Sequence, residues 1–315
     1  MNGPPNSISI ELSAAIVAVE GERPSVLVVS HNGAEDSLPF GPFDPVHHRT
    51  LELGLRKWVG EQTRFELGYT EQLYTFGDLG RHRTQRGRDP ATRVVSVGYL
   101  ALTRQTEGEV SGSEWRGWYR YFPWEDWRGG KPALIDSHIL PALRKFAKGA
   151  TATQGEARRA RVRLCFGDGL PWDEEKVLER YELLYEAGLV EEYFRDSGTG
   201  QTPGAALGTA MLYDHRRILA TAIARLRGKL KYRPVVFELM APSFTLLELQ
   251  RTVEALAGLK LHKQNFRRLV SEQGLVEGTG KFSSPARGRP AELFRFRREV
   301  LRERLVPGLR LGTRR

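Results

Sequence analysis

Gly258 and Gly274 divide residues 232–296 into lengths that suit one arrangement: three short helices followed by a two-stranded hairpin. Pro234 starts a first helix over 235–240, because proline suits a first helical turn, where no N–H is needed. Ser243 or Thr245 caps a second helix, and Glu248 stands three residues after Thr245, the spacing of a capping box. Leu246, Leu249, Val253 and Leu256 follow at i, i+3, i+7 and i+10, one face of a 3.6-residue period. Gly258 ends that helix. A third helix over 262–273 buries Phe266, Leu269 and Val270 and stops at Gly274. Leu275 and Val276 begin a strand, and Leu293, Phe294 and Phe296 return as its partner. The intervening GTGKFSSPARGRPA is too polar and too rich in glycine and proline to be core.

That order is a winged helix-turn-helix. Its third helix carries Lys263, Gln264, Asn265, Arg267 and Arg268 on its outer faces. Arginine reads guanine edges, and asparagine or glutamine reads adenine. At the hairpin tip Lys281, Arg287 and Arg289 suit phosphates or a narrow minor groove. A winged helix used only for protein contacts would share this outline, and charge separates the two. Residues 231–315 hold 18 Lys+Arg against 8 Asp+Glu, while residues 1–230 hold 30 of each. The whole excess of +10 sits on the helix-turn-helix and the tail behind it, the footprint of phosphate binding. The expected partner is double-stranded operator DNA.

With 315 residues the chain has room for two domains. We expect an effector-binding domain over 8–230, the winged helix over 231–298 and a basic tail over 299–315. No run of 18 apolar residues and no basic-then-apolar start is present, so neither a membrane span nor a secretory signal is expected. One cysteine, Cys165, excludes an intramolecular disulfide framework and suits a cytoplasmic protein.

The first half reads strand (8–19), strand (26–30), loop, helix (49–61), strand (71–76), Arg-rich loop, strand (94–102) and a further strand at 119–123. This order resembles a Nudix domain, whose catalytic box runs Gly, five residues, Glu, seven residues, Arg-Glu, apolar, any, Glu-Glu, any, Gly. Anchored on Arg56, the box finds Pro42 for the first glycine and His48 for the first glutamate. Lys57 follows Arg56, Gly60-Glu61 replaces the glutamate pair, and Thr63 replaces the last glycine. Only Arg56, Trp58 and Glu61 fit. Mg²⁺ needs hard oxygen ligands, and a lysine ammonium repels it. We therefore expect an inactive Nudix domain with no catalytic residue and no metal. The alternative, an active hydrolase of ADP-ribose or another nucleoside diphosphate derivative, would need a metal site built from Glu52, Glu61 and Glu66.

Two further blocks carry a closer resemblance. EQLYTFGD followed by RDPATRVVSVGYLAL, and LYDHRRILATAIARLRGKLKYRPVVFELMAPSFTLLELQ followed by HKQNFRRLV and GRPAELFRF, resemble the Nudix-related regulators of NAD metabolism, the NrtR family. The resemblance covers about residues 8–128 and 208–298. It implies a repressor of NAD synthesis or salvage genes, homodimeric on a palindromic operator, with ADP-ribose or a related nucleotide as effector and no other cofactor. The implied fold class is α+β: a Nudix-like α/β/α sandwich with a helical insertion, then the winged helix.

The insertion is residues 129–207. Within it 135–148 reads as helix despite Pro141, 156–166 as helix or strand, and 173–187 as an amphipathic helix with Val177, Tyr181 and Leu184 on one face. Its acidic middle points to packing on the effector domain or across a dimer rather than to DNA. Trp115, Trp118, Trp124 and Trp127 serve either as a stacking surface for adenine or as core. Seven scattered histidines have no zinc-ligand spacing. A diphosphate ligand needs cations where the metal once stood, so the effector candidates are Arg56, Lys57, Arg81, Arg86 and Arg93, with Phe76 beneath the ligand or in the core.

Overall fold

β1 (Ser7–Glu20) runs through the middle of a six-stranded sheet, and its sequence SISIELSAAIVAVE explains the position. β-branched and small residues fill both of its faces, as a central strand requires. The computed structural model describes residues 7–30, 35–78, 92–104, 112–149, 151–198, 207–283 and 290–300. β1 pairs antiparallel with β2 (Arg23–Val29) and with β3 (Phe40–Pro42). It pairs parallel with β5 (Thr92–Leu102), from Ser7↔Thr92 to Val17↔Leu102. β4 (Tyr69–Phe76) and β6 (Ser113–Gly117) close the order β4-β5-β1-β2-β6.

Helix α1 (Leu51–Thr63), the helix of the broken box, covers one face of the sheet over Leu12, Ala14, Ile16, Val97 and Tyr99. Thr50 caps it, its hydroxyl accepting from Leu53 N at 3.1 Å. The opposite face, with Ala15, Val17, Val26, Val28 and Leu100, packs on α6 (His215–Tyr232). That helix buries Ile218, Leu219, Ala222, Ile223, Leu226 and Leu230, so little of its circumference meets water.

The strand expected at 119–123 is not there. β6 lies earlier, and the chain then makes 3₁₀ turns at Trp118–Arg120 and Pro123–Glu125. The reason is spacing: Trp118, Tyr121, Phe122 and Trp124 are all buried, and no period of two produces that set. Trp118 and Trp124 are fully buried core.

Every regular element among the described residues of the insertion is helical. A π-helical turn, Ile135–Ile139, runs without a break into α2 (Leu140–Lys148), and this wider turn lies where Pro141 removes a helical N–H. α3 (Ala152–Phe166) resolves the choice at 156–166 as helix. α4 (Val177–Glu186) is shorter than expected, because Asp173 Oδ1 accepts from Glu175 N at 3.0 Å and makes a turn of the preceding residues. α5 (Glu191–Ser197) completes the insertion. Val177, Tyr181, Leu184, Leu143 and Phe166 join the core that α6 shares with the sheet.

The winged helix follows α6 directly. A 3₁₀ turn (Val235–Glu238) leads to α7 (Leu246–Ala257), α8 (Lys263–Gln273), β7 (Val276–Phe282) and β8 (Glu292–Phe296). Phe244 bridges to Phe294 as a third strand position, and Phe237 stacks on Phe296 with ring centroids 4.3 Å apart.

Candidate functional site

α8 has one face for the core and one for solvent. Phe266 and Val270 are buried. Gln264, Arg267, Arg268 and Ser271, spaced i, i+3, i+4 and i+7, lie on the opposite side and are exposed, as are Lys263 and Asn265. Among the described residues Lys263, Gln264, Asn265 and Arg267 carry no ion pair or hydrogen bond from their side chains. Arg268 has only a loose approach to Glu272 at 3.8 Å, with both side chains exposed. Lys281 is exposed on β7, while Arg287 and Arg289 lie outside the described residues.

The platform beneath this helix is tightly bonded. Thr245 and Glu248 form the capping box: Thr245 N donates to Glu248 Oε2 at 2.7 Å, and Glu248 N donates to Thr245 Oγ1 at 3.2 Å. Thr245 is thus the cap of α7 rather than Ser243. In the turn between α7 and α8, the buried Glu254 accepts from Leu261 N at 2.9 Å, from Gln250 Nε2 at 2.9 Å and from Lys260 Nζ at 3.0 Å. Burial works to raise the Glu254 carboxyl, but these bonds outweigh it and hold its pKa below the ordinary 4.5.

On the effector side, several predicted cations are engaged. Arg56 ties α1 to the start of β4: it donates to Glu52 Oε1 at 3.0 and 2.8 Å, to the carbonyls of Leu67 and Gly68, and to Thr70 Oγ1 at 3.1 Å. The Arg56 guanidinium, then the Thr70 hydroxyl, hold the Glu52 carboxyl below its usual range. Arg93 donates to Gly77 O at 2.6 Å. Lys57 is exposed. Arg81 and Arg86 lie outside the described residues. Among the described residues, no group of three or more His, Cys, Asp or Glu is gathered that could hold a metal ion.

Phe76 is buried and belongs to a different place, a polar cluster between the sheet and the first turn of α6. Ser13 and Gly98 are cross-strand neighbours, as are Glu11 and Ser96, and Ser96 pairs in turn with Phe76. Odd positions of β1 face α6, so Glu11 and Ser13 point that way, both fully buried. A Cβ on Gly98 would stand 3.0 Å from Ile218 of α6 and 3.3 Å from the Phe76 ring, which makes this approach one that glycine permits. Ser13 Oγ has no hydrogen-bond partner among the described residues. From α6, His215 Nδ1 accepts from Leu38 N at 3.1 Å and its ring meets Phe40 at 4.9 Å. The Arg217 guanidinium lies 5.1 Å above the Phe76 ring. Tyr213 enters the helix with φ of +50°, a conformation that costs a bulky residue energy. Sequence reading missed Glu11, Ser13, Ser96, His215 and Arg217. The available signal was Glu11 and Ser13, two polar residues at a spacing of two inside an otherwise apolar strand.

Comparison with known proteins bears first on the exposed helix and its platform. Residues 236–296 match the NrtR DNA-binding winged helix domain. The last domain is an NrtR winged helix. The ADPR responsive transcriptional repressor NtrR of Acinetobacter baylyi is 44% identical over 91 residues, 29% of this chain and 36% of that protein. The chain thus matches little more than a third of that relative's length. Two crystal structures of Shewanella oneidensis NrtR match far more of the fold. The one complexed with a 27mer DNA covers 92% of this chain and 94% of its own, at TM-score 0.53 and 21% identity. The other covers 92% and 95%, at TM-score 0.53 and 20% identity. The architecture is therefore that of NrtR: a Nudix-like sandwich, here with a helical insertion, joined to a winged helix.

Proposed function

We propose that this protein is a DNA-binding transcriptional regulator, a repressor of NAD biosynthesis or salvage genes, that senses ADP-ribose or a related nucleotide without hydrolysing it. The observation that carries the reading is α8: a row of exposed donors with almost no internal partners, on an NrtR winged helix. Gln264, Asn265, Arg267 and Arg268 read base edges, and Lys263 and Lys281, with Arg287 and Arg289, meet the backbone. A homodimer on a palindromic operator places two such helices in successive major grooves.

Recognition of the effector belongs at the junction of the sheet and α6. Buried hydroxyls and a carboxylate suit ribose hydroxyls and the Phe40 and Phe76 rings suit a base, while Arg217 beside them is already paired with Asp78, Glu182 and Asp214. Glu52, which a metal site would require, is engaged by Arg56 and Thr70, and this supports a binding role over hydrolysis. Binding at the junction biases α6, which continues into the winged helix.

The test is a mobility-shift titration on DNA upstream of NAD genes, with and without ADP-ribose, alongside an assay for AMP in the presence of Mg²⁺. The expected result is salt-sensitive binding, weakened by ADP-ribose, with no AMP formed. Coupling between two sites is reciprocal, so operator DNA must weaken ADP-ribose binding by the same factor. Equal ligand affinity with and without operator, or clear turnover, overturns the proposal.

A further inference from the structure

A buried carboxylate sits between the insertion and the winged helix, beside a direct bond from Arg227 Nη1 to Glu174 O at 3.0 Å. Glu125, 1% exposed, lies on the 3₁₀ turn before the insertion. Arg180 of α4 grips it with two bonds, Nε to Oε1 at 2.5 Å and Nη2 to Oε2 at 2.9 Å. The remaining Arg180 donors go to Cys165 O and Asp173 O, both at 2.9 Å, and its guanidinium stacks 3.8 Å above the Trp172 ring. From the other side, Arg227 of α6 donates Nη1 to Glu125 Oε2 at 2.6 Å. Both arginine side chains are fully buried.

Arg227 does not stop at Glu125. Its Nε donates to Leu256 O at 2.9 Å, in the last turn of α7, and Tyr119 Oη donates to Ala255 O at 2.7 Å. Trp127 N donates to Gly258 O at 2.8 Å, and the Trp127 ring lies 4.3 Å from Trp172 of the insertion. A helix leaves its last four carbonyls without partners, and cations there are favourable. In α7 two of these acceptors, Ala255 O and Leu256 O, are met by the effector half. Gly258 leaves no room for anything else. It has φ of +72°, and a Cβ there would stand 2.4 Å from Glu125 O, 2.8 Å from Arg227 Nη2 and 2.9 Å from Tyr119 Oη.

We infer that the insertion is a brace for the recognition helix: Arg180 holds Glu125, Glu125 holds Arg227, and Arg227 with Tyr119 holds the C-terminal carbonyls of α7. Arg180 is then a positioning residue for DNA binding, although it sits on the insertion. The geometry of the brace is independent of the DNA reading; only its effect on operator affinity rests on that proposal.

Label-to-label distances test it in the full chain. Cys165, the one native cysteine, is buried, so spin labels go to Leu53→Cys on α1 and Ser271→Cys on α8, both exposed positions. The otherwise unaltered chain is expected to give one narrow distance distribution. Arg180→Met leaves Glu125 paired one-to-one with Arg227, and the distribution is expected to broaden at least about twofold. Gly258→Ala, which wedges the same contact from the α7 side, has the same effect. If the fraction of winged helices in the competent pose falls to about a tenth, apparent operator affinity falls about tenfold. A distribution as narrow in Arg180→Met as in the parent overturns the brace. Should Arg180→Met fail to fold, Tyr119→Phe, which removes one hydroxyl and no charge, decides: broadening supports the brace and an unchanged width overturns it. A chain that shows the distance effects but binds no operator refutes the DNA reading and leaves the brace standing.

Discussion

Arginine is used in opposite ways in the two parts of this molecule. In the effector half Arg180, Arg216 and Arg227 are at most 1% exposed. Arg216 donates to Tyr121 O, Leu207 O and Glu192, and lies about 5.5 Å from the rings of Phe122 and Tyr181. On α8 Arg267 and Arg268 face solvent, and among the described residues the nearest carboxylate to either is at 3.8 Å. Residues 1–230 are electrically neutral, and many of their charges are satisfied within the protein. The winged helix and its tail carry an excess, and the described cations on α8 are almost all left over. A charge therefore tells little about binding until its partners are counted.

The comparison is broken most easily at the buried end. Glu192→Gln strips Arg216 of its carboxylate, a pair with both side chains 1% exposed. Leaving a buried guanidinium unmatched costs on the order of 3–5 kcal/mol, measurable as a lower unfolding free energy in urea. A loss under about 1 kcal/mol would mean that the neutral half does not depend on its internal pairs. At the exposed end the expectation inverts. Arg267→Ala should change unfolding by no more than about 0.5 kcal/mol. It should cost about 1–3 kcal/mol of operator binding and relax the preference at one base pair. Lys281→Ala should weaken all sequences alike and lower the salt slope by about one unit, read from binding isotherms at several ionic strengths.

Smaller effects sharpen the boundary between the two regimes. Thr245→Ala removes the capping box of α7 and should cost about 1 kcal/mol of stability. Glu254 gives the weakest and most specific signature, a pH dependence. Its folded pKa is depressed, so its stabilising effect is present above the ordinary value near 4.5 and is lost as pH falls through the lower folded value. The α7–α8 turn should loosen in acid, seen as faster amide exchange at Leu261, and Glu254→Gln should flatten that dependence.

The winged helix was legible because its signals are local. The capping spacing, the apolar rows and the glycines at 258 and 274 all act within a few residues. The recognition helix expected at 262–273 forms at Lys263–Gln273, with His262 as its cap position. The first half was legible in order but not in detail. β6 (SEWRG) has no alternation to betray it, and the aromatic run after it reads as strand until its burial pattern is known. The polar cluster was out of reach for another reason. Glu11, Ser13, Ser96, His215 and Arg217 come together only when β1 pairs with β5 and α6 crosses them, and no spacing in the chain encodes that meeting. The bonds that Arg56 makes to Glu52, Thr70 and two carbonyls were equally out of reach, because they form only when α1 packs beside the start of β4.

α6 carries a constraint of phase as well as of reach. Arg216 and Arg227 are eleven residues apart, so they project from nearly the same side of the helix, three turns and about 16 Å along it. One sits against Tyr121 and Glu192, the other against Glu125 and Leu256. Adding or removing a single residue between them would turn one set of contacts by about 100° relative to the other. Surface loops away from these contacts tolerate a change of length; an insertion between Arg216 and Arg227 shifts one set of contacts against the other in phase and in reach alike.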